Sequence, residues 1–170
     1  MNGHTEGSEV RELVDKQAIA DLVRRYATAV DSGDGAKLKS IFHPSAKIAL
    51  LEERARDEFC DNVITMGKTI KTQHYLMNTV SDIKGNSAVS GSYFVAYHLI
   101  PAGCDDPTCV AIFKRHEIDM DVTIGGSYLD RLIKTSSGWQ IVDRQICMTW
   151  KQFVPTAYSP EPSWLSNFKQ

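Results

Sequence analysis

The strongest constraint on this chain is where its strand-forming segments lie. Thr72–Ile83, Ser87–Ile100, Ile118–Ile133 and Trp139–Phe153 are long, rich in β-branched and aromatic residues, and all follow residue 70. Such segments read as strands. Lys84-Gly85-Asn86 and Ser136-Ser137-Gly138 between them carry the signals of hairpin turns. Strands joined by short turns run antiparallel. The helical patterns come first, so the helices gather on one face of the sheet in an α+β architecture. Long strands twist, and helices laid across a curved antiparallel sheet leave a cone-shaped barrel with an internal pocket.

Ahead of the strands, apolar residues recur every three or four positions at Val10, Leu13, Val14, Ile19, Leu22, Val23, Tyr26, Ala27 and Val30. This period predicts an amphipathic helix starting near Ser8, with Glu12 behind it as a loose capping partner. Residues 1–8 read as a flexible polar arm. Asp31-Ser32-Gly33 ends the helix, because glycine takes the left-handed closing conformation. Asp34 caps a second short helix with Leu38, Ile41 and Phe42 on its buried side, and His43-Pro44 stops it. Lys47–Leu51 suggests a short strand, residues 52–57 a charged solvated connection, and Phe59, Val63, Ile64, Met66 and Ile70 a third helix. Pro101–Glu117 reads as a long loop. The three prolines of 155–170 exclude a regular helix throughout that tail, whose Tyr158, Trp164 and Phe168 suggest packing. The expectation is a single domain over 1–170 with its core at about 10–153.

At 170 residues, 42% hydrophobic and 24% charged, the chain suits one globular domain with a full core. Its formal charge of −2 lacks the basic excess of a nucleic-acid binder. No apolar run reaches the roughly 18 residues of a membrane span, and MNGHTEGSEV has no apolar signal core. Cys60, Cys104, Cys109 and Cys147 are too scattered for a disulfide framework. The expectation is a cytoplasmic protein with no membrane or nucleic-acid partner.

No phosphate loop, G-x-S-x-G or His-Glu-x-x-His motif occurs. His98, Cys104, Cys109 and His116 fall within 19 residues, but their spacing is not that of a zinc clamp, and two free thiols in a loop is the preferred reading. The remaining candidates are Asp31 at the first helix's end, Tyr26 five residues earlier, and His74 at the start of the first long strand. A histidine with one nitrogen held by a carboxylate is a natural general base. From the residues alone, the preferred reading is that Asp31 is a solvated helix-end residue and His74 a packed strand residue.

Two stretches carry a resemblance. Val14-Asp-Lys-Gln-Ala-Ile-Ala-Asp-Leu-Val-Arg-Arg-Tyr-Ala-Thr-Ala-Val-Asp31 with Phe42-His-Pro-Ser-Ala46, and Gly126-Ser-Tyr-Leu-Asp-Arg131 with Gly138-Trp-Gln-Ile141 and Arg144, resemble SnoaL-like proteins of the nuclear-transport-factor-2-like cone superfamily. The chain is similar to that superfamily's catalytic branch, which includes scytalone dehydratase, hexachlorocyclohexane dehydrochlorinase and bile-acid 7α-dehydratase. The resemblance implies that Asp31 and His74 form a base pair, that Tyr26 donates a hydrogen bond to a departing oxygen, and that no cofactor is needed. It places Arg131 at the cavity or at a subunit interface. It further implies a homodimer or homotrimer, and a small, mostly apolar cyclic or aromatic substrate. The function implied is a dehydratase-like lyase or isomerase, with a polyketide-type cyclase or a non-catalytic binding or assembly module as the alternatives. Tyr93, Tyr97 and His98 on the second long strand are candidates for a further polar contact. Val23, Phe59, Val63, Leu76, Val95, Met148 and Trp150 are candidates for the cavity wall or the plain core. Gly35 departs from the tryptophan common among relatives.

Overall fold

The computed structural model describes residues 3–156. Helix α1 (Gly3–Ser32) and helix α2 (Gly35–Ile41) precede strand β1 (Phe42–Ala49), strand β2 (Glu53–Ala55) and helix α3 (Arg56–Met66). Then come β3 (Lys71–Lys84), β4 (Ser87–Ile100), helix α4 (Pro107–Phe113), β5 (Met120–Thr135) and β6 (Gly138–Pro155). The six strands form one sheet in the order β2-β1-β6-β5-β4-β3. It is curved and unclosed, and with the helices it forms the α+β cone expected from the sequence. Pairing is antiparallel from β3 to β6, as the short turns require for β3–β4 and β5–β6 and as also holds for β4–β5 across the longer connection through α4, but β1 pairs parallel to β6. The parallel pair is possible because the long excursion through α3 and β3–β5 separates β1 from β6 in sequence.

The junction between α1 and α2 follows the sequence closely. Gly33 takes φ +68, the left-handed region open to glycine, and Asp34 N–H donates back to the Ala29 carbonyl. The Asp34 carboxylate then accepts from Lys37 N–H at 2.9 Å and caps α2, a contact worth about 1 kcal/mol. This tight reversal fixes the end of α1, and therefore Asp31, against β3, on which α1 packs.

Other expectations are corrected. Helix α1 begins at Gly3, so residues 3–8 are helical and no arm precedes Ser8 within the described residues. Val10, Leu13 and Val14 are exposed, and the buried stripe starts only at Ile19, because no described element covers the apolar side of the first turns of α1. Phe42 opens β1, five residues before the expected strand, since the chain turns extended ahead of Pro44. Residues 52–57 hold β2 and the first residues of α3. The segment 101–117 contains α4, capped by Asp106 and opened by Pro107. The tail residues 157–170, with Tyr158, Trp164 and Phe168, lie outside the described residues.

Candidate active site

The concave face of the sheet and the helices surround a narrow cavity. Helix α3 contributes Phe59, Val63 and Met66 to its wall, and α4 contributes Ile112 and Phe113. From the sheet come Phe94 and His98 of β4, Ile124 and Tyr128 of β5, and Ile146 and Met148 of β6. Tyr26, Thr72 and His74 supply most of the remaining polar groups. A largely apolar hollow with a few converging polar groups is the usual form of a small-molecule site.

Asp31 and His74 meet at the edge of this cavity. The His74 ring Nδ1 lies 2.6 Å from Asp31 Oδ1, and His74 backbone N–H donates to Asp31 Oδ2 at 2.8 Å. Thr72 Oγ donates to Asp31 Oδ1 at 2.8 Å. One carboxylate thus accepts three hydrogen bonds from the start of β3, which needs it ionised and needs the proton on Nδ1. Burial opposes the charge on Asp31, but the hydrogen bonds from His74 and Thr72 outweigh it and hold the carboxyl below its ordinary value. With Nδ1 donating, His74 Nε2 keeps its lone pair and has no partner among the described residues. The histidine lies on the cavity wall with that lone pair available to take a proton.

Behind the opposite wall lies a charged pair. Arg144 is 0% exposed and donates through Nε and Nη2 to both oxygens of Asp130, each at 2.7 Å. Its guanidinium lies against the rings of both Tyr26 and Tyr128, 4.2 Å and 4.4 Å from their centroids, and the two rings meet edge to face at 5.4 Å. Arg144 Nη1 has no partner among the described residues. Burial pushes the Tyr26 phenol up to about 12 despite this neighbouring cation, so it stays protonated and can donate. The sequence reading gave Arg144 no role. Its signal was a charged residue at an alternating position of β6 whose neighbours on that face are apolar.

Residues 11–145 match the model of the SnoaL-like domain. This chain belongs to the SnoaL-like family. Its fold is the cone fold of the nuclear-transport-factor-2-like proteins. Among solved structures, the SnoaL-like chain is similar to a hexachlorocyclohexane dehydrochlorinase, LinA type 3, from Novosphingobium barchaimii, at 15% identity and TM-score 0.67 over 89% of this chain and 99% of that one. It is similar to a protein from Novosphingobium aromaticivorans provisionally described as a scytalone dehydratase, at 18% identity and TM-score 0.69 over 87% and 93%. A protein of unknown function from Mycobacterium tuberculosis aligns at 17% identity and TM-score 0.65 over 82% and 74%. No curated protein sequence matches this one.

The remaining candidates divide by strand face. Phe59, Val63, His98 and Met148 line the cavity of the SnoaL-like chain beside Tyr26 and His74. Tyr93, Val95 and Tyr97 do not, because odd positions of β4 face outward; Tyr93 is 59% exposed and Tyr97 donates to Asp121 at 2.6 Å. Arg131 is exposed on the outer side, away from the cavity. Val23 is sealed in the core, and Leu76 faces a surface hollow beside α1. Trp150 is 47% exposed although it lies two residues after Met148. The cause is a bulge: Gly126 pairs with Met148 and Gly125 with Trp150, leaving Thr149 extra and reversing the faces beyond it. The Trp150 ring then lies on Gly125, where an added Cβ would fall 2.1 Å from it.

Two features bear on metals and pH. Among the described residues, no three His, Cys, Asp or Glu side chains converge to hold a metal ion. His116 Nε2 instead engages the Phe113 carbonyl at 2.9 Å. His98 Nδ1 lies 3.3 Å from the Val122 carbonyl, and its ring lies 5.8 Å from that of His74. Burial, then the nearby His74, lowers the His98 value to about 4. The unfolded chain would protonate this residue near its ordinary 6.5, whereas the folded chain resists until about 4. Acidification from pH 6.5 to 4 therefore favours unfolding, by roughly 3 kcal/mol from this residue. Urea unfolding at pH 7 and pH 4.5 is expected to show a smaller loss of stability in His98→Gln than in wild type. Equal losses would refute this assignment.

Proposed function

We propose that this protein is a cofactor-independent lyase or isomerase, dehydratase-like, acting on a small, mostly apolar cyclic or aromatic molecule. The observation that carries the reading is the 2.6 Å contact between Asp31 and His74 Nδ1, with His74 on the wall of an apolar cavity. In this reading His74 Nε2 takes a proton from a carbon next to an activating group. Asp31 holds the imidazole in the reactive tautomer and stabilises the cation it becomes. Tyr26 donates to the oxygen that gathers charge or departs. No step in proton removal followed by elimination calls for a metal or redox group. Membership of the SnoaL-like family, and the fold shared with a dehydrochlorinase and a dehydratase-like protein, support a lyase-like or isomerase-like role.

The observation that separates this from a binding or assembly module is exchange of carbon-bound hydrogen. Apolar cyclic ketones, enones and hydroxylated rings that bind the protein would be incubated with it in D₂O and followed by NMR. Exchange or elimination at one ring carbon, absent in His74→Ala, is the expected result. Ligands that bind without exchanging any hydrogen would leave the non-catalytic reading. A polyketide-type cyclase also begins with proton removal, and its product would reveal it. We propose further that the chain self-associates as a homodimer or homotrimer through its outer sheet face. There Tyr75, Tyr93, Leu129 and Trp150 are all exposed, an unusual concentration for a solvated surface.

A further inference from the structure

The loop from β4 into α4 holds a pair of side chains that the proton chemistry does not use. Cys104 lies in the loop, and Cys109 is the third residue of α4. Both are buried, and their sulfurs are 3.0 Å apart. Asp106 between them turns the chain, accepting from Cys109 N–H at 2.8 Å. Among the described residues the pair has no further ligands of a metal site, since His98 and His116 are engaged elsewhere. What two thiols in such contact can do without a third partner is join.

We propose that Cys104 and Cys109 form a reversible dithiol–disulfide site, oxidised by low-molecular-weight disulfides of the glutathione kind, whose closed state fastens the α4 wall of the cavity. The exchange balances without another reagent. One cysteine thiolate attacks the small disulfide, forms a mixed disulfide and releases one small thiol. The second cysteine attacks the protein-side sulfur and releases the other, so two protein thiols become one S–S bond as one small disulfide becomes two thiols. Burial pushes the Cys109 thiol up, which makes the closed fold unreactive and ties exchange to opening of the loop. That opening is local. Ala102, Asp105 and Pro107, beside the two cysteines, are exposed. The loop is held by Gly103 N–H on the His116 carbonyl and Cys104 N–H on the Pro101 carbonyl.

The consequence for the cavity follows from what α4 carries. Ile112 and Phe113 line the cavity, and the Phe113 ring lies 4.7 Å from His98. Lys151 Nζ holds the far end of α4 through the Ile112 carbonyl at 2.7 Å. A bond from Cys109 to Cys104 would hold the near end as well, so that neither end of this wall could swing aside to admit a ligand.

The test uses the full chain carrying Cys147→Ser, which removes the exposed thiol of the outer face. After incubation with oxidised glutathione or with dithiothreitol, the protein is denatured, alkylated with N-ethylmaleimide and weighed. The reduced sample is expected to take three adducts and the oxidised sample one, on Cys60, with the peptide spanning 104–109 lighter by two hydrogens. The oxidised protein is expected to melt about 5 °C higher, a difference abolished by Cys104→Ser with Cys109→Ser. Three adducts after oxidation, or glutathione left on either cysteine, would overturn the site. A 104–109 link with no change in melting would overturn its fastening of α4. None of these readouts depends on turnover, so they stand apart from the proposed function.

Discussion

His74→Ala is expected to lower turnover by roughly 10²–10⁴-fold, with KM and melting temperature nearly unchanged. The side chain lies on a cavity wall and its only hydrogen-bond partner among the described residues is Asp31, so its loss strands no other described group than that carboxylate. Asp31→Asn is expected to act as strongly by a different route. The amide fills the same space and, with its oxygen in the place of Oδ2, can still accept from His74 N–H; its NH₂ then stands where Oδ1 was and loses the hydrogen bond from Thr72. It cannot stabilise an imidazolium, and its NH₂ can donate to Nδ1, moving the ring proton to Nε2 and removing the lone pair that would attack. The double variant is then expected to lose little beyond either single one, because the two side chains act as a unit. Turnover would be followed on the compound that the exchange experiment identifies. Unchanged turnover in both single variants would remove the Asp31–His74 base from the mechanism.

That pair shows how far the sequence reaches. The end of α1 is legible in Asp31-Ser32-Gly33, because a left-handed glycine is a local requirement. The bounds of β4 are legible from Lys84-Gly85-Asn86, because a two-sided alternation starts there. The meeting of Asp31 with His74, 43 residues apart, is set by packing of α1 on β3, which no local pattern encodes. Only the resemblance joined them. Trp150 illustrates a second limit. Strict alternation puts it with Met148, and one extra residue, Thr149, moves it to the other face. The adjacent glycines Gly125-Gly126 were the available sign, since glycine inside a strand marks a bulge or a close approach. The helix α4 was also signalled, by Asp106 ahead of Pro107, but its short length hid it within the loop.

The Asp130–Arg144 pair is the place where a single substitution is expected to cost the most stability. Asp130→Ala would leave a guanidinium at 0% exposure with no carboxylate, and an uncompensated buried charge costs about 3–5 kcal/mol. The rings of Tyr26 and Tyr128 would remain against it, but cation–π attraction of about 2 kcal/mol falls short of the loss. Replacing both partners, Asp130→Leu with Arg144→Met, removes the charge together with its partner and is expected to recover most of the stability. Urea unfolding of the three proteins measures this directly. A loss under about 1 kcal/mol in Asp130→Ala would mean that water reaches the guanidinium and that the site is less sealed than its geometry implies. The comparison also bears on the cavity. Arg144 is the cation against which the Tyr26 ring is packed, so the double variant keeps the fold while releasing that ring. A fall in turnover in the stable double variant would then belong to the positioning of Tyr26 and not to unfolding.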